Sequence, residues 1–228
     1  MTETMLASPE GDTASFTNWR RIAQWTAGII GALIFATIAA GRARATGADP
    51  IDLTHELLGQ AIAILRNHSL TIAVKRAELK RMAAANFDFS QMARVTLDNH
   101  WEPLSPVQRE AFTEVFTEFI EDSYLNQIQS YTGQSIAVMR QDLHGDHADV
   151  FSTITSPGED PIDLELRYRR ETDGWKIYDV TVDEVSVTSN YRAQFDRVIR
   201  ARGFDTLMAD LRAKQQRLEA SLASNSGD

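Results

Sequence analysis

Few side chains in this 228-residue sequence are spaced for chemistry. His144 and His147 stand three apart with Asp146 between them, a spacing that a metal ion can use. The run His144-Gly145-Asp146-His147 is also ordinary hairpin-turn sequence, and the turn is the better reading. His100 follows Asp98-Asn99 and reads as a helix-ending cap, while His55 and His68 read as solvated positions on a charged helix face. Asp179, in Trp175-Lys176-Ile177-Tyr178-Asp179-Val180, is the best catalytic candidate. A carboxylate in a cone-shaped α+β pocket can serve as a raised-pKa base. It has no evident acid partner, so an Asp179 that bonds backbone or arginine groups beside a sheet is the stronger expectation. The sequence has no nucleophile elbow, P-loop, dinucleotide fingerprint or His-Glu-x-x-His. It has no cysteine, which removes disulfides, thiolate zinc sites and a cysteine nucleophile. The expectation is therefore no enzyme, no metal and no cofactor.

With 43% hydrophobic and 24% charged residues, the composition is that of a globular protein of one or at most two domains. The formal net charge of −9 disfavours nucleic acid and bare anionic membranes as partners. The first 45 residues read as an export leader. Arg20 and Arg21 precede an uncharged run from Trp25 to Ala40, and Ala43-Arg44-Ala45 follows as a small-residue cleavage signal. The run is short for a membrane span, which needs about 20 residues, so an uncleaved anchor is the alternative. Beyond residue 45 there remain 19 basic and 29 acidic side chains, a net charge of −10. One domain is expected over residues 46–222, with a disordered tail at 223–228.

The elements that must position any site follow from the hydrophobic period. Asp49-Pro50 opens a helix with a stripe of Leu58, Ala61, Ile62 and Leu65. Thr71–Ala85 is a second helix, and its Lys75–Arg81 run reads as a solvated face or a docking surface. A short helix follows at Phe89–Leu97. Ser105-Pro106-Val107-Gln108 is a capping box, and behind it run Phe112, Val115, Phe116, Phe119, Ile120, Tyr124, Ile128 and Tyr131. That wide aromatic face must be covered.

From residue 134 the period becomes two. Ile136 and Val138, then Val150, Ser152 and Ile154, then Ile162, Leu164, Leu166 and Tyr168 alternate with mostly polar residues. A fourth strand is expected over Trp175–Val185. The links His144–His147, Ser156–Pro161 and Thr172–Gly174 are turn-like, so the strands form an antiparallel meander. Helices return over 189–222, with Tyr191, Phe195, Val198 and Ile199 on one face, a break at Gly203, and Leu207, Leu211, Leu218 and Leu222 beyond it. The expected class is α+β, a four-stranded antiparallel sheet with helices packed on one face. An aromatic helix and a one-sided sheet either close into solid core or leave a dry pocket for an apolar ligand. Periodicity does not separate the two.

Several segments resemble the MlaC, or toluene-tolerance, family of periplasmic phospholipid-binding proteins. They are Phe87-Asp88-Phe89 with Met92-Ala93-Arg94, then Trp101-Glu102-Pro103-Leu104-Ser105-Pro106-Val107-Gln108-Arg109, then Phe112-x-x-x-Phe116, Tyr124 and Tyr131-Thr132-Gly133-Gln134. Gly174–Val180, Val185-Ser186-Val187 and Asn190-Tyr191-Arg192-x-x-Phe195 follow in order. The resemblance spans roughly residues 48–218. One departure is Asp183-Glu184-Val185-Ser186, where the family commonly has glycine before the Val-Ser pair.

The resemblance implies a soluble periplasmic carrier that holds phospholipid by its acyl chains. It also implies exchange with an inner-membrane ABC transporter complex carrying an MCE-domain protein and with an outer-membrane lipoprotein–porin complex, which maintains envelope lipid asymmetry. The expected lipid-contacting residues are Ile162, Leu164, Leu166 and Tyr168 of one strand, Val180, Val182 and Val185 of the next, and Phe116, Phe119, Ile120 and Tyr124 of the long helix. About half are expected to touch cargo. The alternatives are a small α+β enzyme with Asp179 as base, or an accessory protein with a filled core and no ligand.

Overall fold

Asp49 caps the first helix through its backbone, with the Leu53 amide donating to its carbonyl, and Pro50 supplies the first turn. This helix, α1 (Pro50–Arg66), turns Leu57, Leu58, Ala61, Ile64 and Leu65 inward. The Thr71 hydroxyl accepts from the Val74 amide to start α2 (Ile72–Asn86), and Asp88 does the same for Gln91 at the start of α3 (Phe89–Leu97). The capping box forms reciprocally. The Gln108 amide donates to Ser105 Oγ at 3.3 Å, and the Ser105 amide to Gln108 Oε1 at 3.0 Å. It opens α4 (Pro106–Leu125). The computed structural model describes residues 48–125, 131 and 133–224. The leader expected at 1–45, Ile128 of the long helix face, the side chain of Leu222 and residues 225–228 of the tail lie outside them.

The strands are β1 (Ser135–His144), β2 (His147–Thr155), β3 (Ile162–Glu171), β4 (Gly174–Val182) and β5 (Val185–Ser186), antiparallel in the order β1-β2-β3-β4-β5. Among the described residues the sheet therefore has five strands where four were expected. The period-two pattern of Trp175–Val185 hides a tight turn at Asp183-Glu184, both at positive φ, after which Val185 pairs back on Val182. No glycine, proline or asparagine marks that turn, so the alternation reads straight through it. Helices α5 (Val187–Arg202) and α6 (Phe204–Ser224) follow, hinged at Gly203, whose φ of 87° suits glycine.

The helices meet the sheet from both sides rather than from one. The face carrying Leu166 and Tyr168 is bridged to α1 by Thr54 Oγ1 and Tyr168 OH at 2.8 Å, and by the Ile51 amide to Gln141 Oε1 at 3.0 Å. On the opposite face of β4, Asp179 receives the first turn of α5. Phe87 forms a parallel bridge to Ile177 at the β4 edge, and the Asp88 amide donates to the Ile177 carbonyl at 2.8 Å.

Candidate functional site

The register lines the alternating apolar residues into one wall. Val138, Ser152, Leu164 and Val182 form a row across β1–β4, and Val150, Leu166 and Val180 lie in the next. Ala148, Tyr168 and Ile177 form a third row, and Ile136, Ile154 and Ile162 a fourth. A bulge between Arg167 and Tyr168 keeps Ile177 and Val180 on this same face although their spacing is odd. Of the expected sheet residues, Leu164, Leu166, Tyr168, Val180 and Val182 are buried together here. Ile162 is half-buried at the start of its strand. Val185 is not part of the wall, because the turn at Asp183-Glu184 carries it to the sheet edge with 40% of its surface exposed.

The wall contains residues that the sequence reading passed over. Ala148, Val150, Ser152 and Ile154 of β2 stand at its centre, all buried. Their period-two spacing was the available signal. Ser152 is 3% exposed, and its Oγ has no hydrogen-bond partner among the described residues. A buried hydroxyl without a partner costs about 1–3 kcal/mol, so it is a weak point in an otherwise apolar surface. The hydroxyl pair of Thr54 and Tyr168 and the Gln141 cap on Ile51 place the polar anchors of α1 on the same face.

The aromatic half of the expected site has a different setting. Phe116, Phe119, Ile120 and Tyr124 are all buried. Phe116 stacks on Phe112 at 5.7 Å and meets Tyr191 and Phe195 edge-on at 6.3 Å each. Phe119 meets Tyr191 edge-on at 5.5 Å, and Lys214 Nζ sits 4.8 Å from the Phe119 ring centroid. The cover for this helix face comes from α5 and α6, helix against helix. Burial pushes the Tyr124 hydroxyl well above the ordinary tyrosine range, with the Asp179 charge adding to it. Burial does the same to Tyr191, with Tyr124 a smaller contributor.

Asp179 is a structural carboxylate by its partners. Its Oδ1 accepts from the Thr188 amide at 3.0 Å and from its neighbour Val180 at 2.9 Å, and its Oδ2 from Ser186 Oγ at 2.6 Å. The Ser186 hydroxyl in turn accepts the Ser189 amide at 3.0 Å, so the pair caps α5. Arg167 approaches to 4.0 Å. Its guanidinium is raised mainly by a hydrogen bond to Glu165. Through Thr188 and Ser186, Asp179 thus holds the start of α5 to β4.

The remaining candidates fall elsewhere. His144 and His147 face each other across the hairpin and are exposed, and His147 lies edge-on to Tyr178 at 5.8 Å. His100 does not cap its helix. Its Nε2 lies 2.8 Å from Asp196 on α5, which ties the turn after α3 to that helix. His55 and His68 are exposed. The Lys75–Arg81 run is only partly a solvated face. Lys75 is buried, donating to the Leu65 carbonyl at 2.6 Å, and Lys80 lies 2.7 Å from Asp122 and 3.5 Å from Glu121 of α4. Burial opposes the Lys80 charge, but the hydrogen bond and charge of Asp122 outweigh it, so its pKa is raised. These two lysines lock α2 against α1 and α4.

Comparison with known proteins gives this geometry a family. The MlaC protein family matches residues 55–213. The intermembrane phospholipid transport system binding protein MlaC of Haemophilus influenzae is 27% identical over 120 residues. That alignment takes in 50% of this chain and spans 56% of the relative. The fold is similar to that of the phospholipid-binding protein from Ralstonia solanacearum, solved in complex with a phospholipid. The TM-score is 0.67 at 21% identity, covering 75% of this chain and 99% of that one. With a family match over most of its length, the chain belongs to the MlaC family.

Proposed function

We propose that this protein carries phospholipid, held by its acyl chains against the apolar wall of β1–β4 and α1. The observation that carries this reading is the wall itself: four in-register rows of Val, Leu, Ile, Ala and Tyr, interrupted by the Ser152 hydroxyl, which has no partner among the described residues. Membership of the MlaC family and likeness to a fold solved with phospholipid support it.

Elementary energetics suit such a site. Each methylene withdrawn from water contributes about 0.8 kcal/mol, so a chain of about 16 carbons contributes on the order of 12 kcal/mol. Free lipid in water is then negligible, and cargo must pass directly from a membrane or a partner. A bilayer is equally apolar, so loading and unloading are close to balanced. Direction comes from the partners. In this reading residues 1–45 export the chain and residues 46–222 form one lipid-binding domain. That domain shuttles cargo between an inner-membrane MCE-domain ABC transporter complex and an outer-membrane lipoprotein–porin complex. The net charge of −10 beyond residue 45 keeps it off anionic bilayers, so transfer requires docking to those proteins.

Native mass spectrometry of the purified chain, with organic extraction of what co-purifies, tests this. Adducts of phospholipid mass are expected, and their ratio gives the number of lipids held. A clean unliganded mass under gentle conditions, with no uptake from liposomes, overturns the reading in favour of a filled-core accessory protein.

A further inference from the structure

The two edges of the sheet are finished differently. At the far edge, β4 is covered by β5, by the Phe87 bridge and by the Asp88 amide. At the near edge, β1 runs ten residues and, among the described residues, pairs with β2 alone. Met139 and Leu143 on it are 64% and 52% exposed. A long edge strand with exposed apolar residues is a template for another strand.

The hairpin settles which backbone groups that edge offers. His144 pairs with His147 across the two-residue loop Gly145-Asp146, so this closing pair exchanges hydrogen bonds. Alternation then turns Asp142 and Arg140 toward β2, and turns the amides and carbonyls of Gln141 and Leu143 outward. The side chains of Arg140 and Asp142 lie on the charged face and form an ion pair with each other. They flank Gln141 symmetrically with opposite signs.

That arrangement makes the strand complementary to itself. An antiparallel partner centred on Gln141 sets Gln141 against its own copy, both with outward-facing backbone groups. It places each Arg140 directly opposite the partner copy's Asp142, and brings Met139 into register with the other Leu143. A parallel copy, or one shifted by a residue, opposes like charges or buries the wrong backbone groups.

We propose that two copies of this chain pair through the β1 edges about a two-fold axis at Gln141, joining two five-stranded sheets into one of ten. Such a contact is small beside the roughly 1,600 Å² of a standard interface, so the dimer is weak and concentration-dependent. The bulge at Met139 limits pairing to the segment from Met139 onward.

The absence of cysteine from the chain gives a clean test. Arg140→Cys and Asp142→Cys are made separately in the full chain, and each variant is oxidised alone and then in an equimolar mixture. Across the proposed axis residue 140 faces residue 142, so the mixture forms the disulfide-linked dimer several-fold faster than either variant alone. Leu143→Pro, which removes an outward amide and leaves the β2 ladder intact, in either background abolishes that preference. Equal cross-linking in all three samples overturns the proposal, because association elsewhere on the chain gives no 140–142 preference. Absence of cross-linking in the mixture overturns it as well. Arg140 and Asp142 lie on the face opposite the lipid-facing wall, so lipid adducts of the two cysteine variants report on the proposed function independently.

Discussion

The aromatic cluster around α4 and the sheet wall beneath α1 look alike in the sequence, since both are regular apolar stripes, yet they are packed by different kinds of contact. In the cluster, Phe112, Phe116, Phe119, Tyr191 and Phe195 meet at ring distances of 5.5–6.3 Å in stacked, edge-on and tilted pairs. Each ring is a partner of another, and helix covers helix. Aromatic pairs of this kind add about 0.5–1.5 kcal/mol beyond their burial. The wall is made of aliphatic side chains with an orphaned hydroxyl at Ser152 and a hydroxyl pair at Thr54 and Tyr168. Aliphatic surface with few directional contacts suits an acyl chain, which has no edges or faces to match. The difference teaches that hydrophobic quantity locates both regions, while the kind of contact, ring on ring or aliphatic surface, distinguishes the cluster from the candidate site.

A charge in the wall gives the largest expected effect. Leu164→Glu sits in the row of Val138, Ser152 and Val182, and is expected to abolish lipid retention while the protein stays folded. Lipid adducts by native mass spectrometry and far-ultraviolet circular dichroism, measured on one sample, check it. Unfolding of the variant makes Leu164 solid core and erases the distinction between the two regions.

Truncation in the cluster is expected to behave in the opposite way. Phe116→Ala removes a fully buried ring with three aromatic partners and costs about 3–5 kcal/mol of stability. The variant that remains folded at low temperature keeps the parent's lipid stoichiometry. Denaturant midpoints and adduct ratios read the two quantities separately. A variant that loses lipid but little stability moves Phe116 from core to site.

The same contrast explains what was legible in the sequence. The capping box at Ser105–Gln108, the proline start at Pro50 and the alternation of Ile162–Arg169 carry their elements directly, because each is a local rule satisfied by neighbours in the chain. The family resemblance is likewise local, being carried by short ordered segments. The partner of the aromatic face was not legible. Phe116 needs a cover, but whether Leu164 or Tyr191 provides it depends on helix docking far along the chain. The lysines of α2 misled for a related reason. Lys75 and Lys80 look solvated by type, and only the packing of α2 between α1 and α4 supplies the Leu65 carbonyl and the Asp122 carboxylate. Asp179 is legible as a bonding carboxylate, though its partners are the first turn of α5 before any arginine.

Alkaline pH sharpens the comparison from the cluster side. Tyr124 and Tyr191 have folded pKa values raised above the ordinary 10.0, chiefly by burial. Their neutral form is therefore favoured in the fold. The stabilisation is fully present below pH 10 and is lost as pH rises from there toward the folded values, because the unfolded chain ionises first. Each tyrosine lowers stability by about 1.4 kcal/mol per pH unit in that window. Tyr124→Phe and Tyr191→Phe each remove one such slope from a series of denaturation curves above pH 10. An unchanged slope in both variants means that these hydroxyls reach water and the cluster is less closed than its ring contacts indicate.

The smallest effect marks where the wall ends. Asp183 and Glu184 hold φ values of 44° and 67°, the left-handed region that costs a residue with a side chain about 1–2 kcal/mol. Asp183 is compensated, since its carboxylate accepts from the Asp163 amide at 3.1 Å and its own amide donates to the Asp163 carbonyl at 3.0 Å. For Glu184, at φ 67°, glycine is the better residue because it reaches this region without a side-chain penalty. Glu184→Gly is expected to raise stability by about 1 kcal/mol, seen as a higher urea midpoint with an unchanged slope. Lipid occupancy stays the same, because the turn lies beyond Val182 and directs Val185 to solvent. Altered occupancy would mean that the bend positions the last row of the wall, and the boundary between scaffold and site would then run through β5 rather than before it.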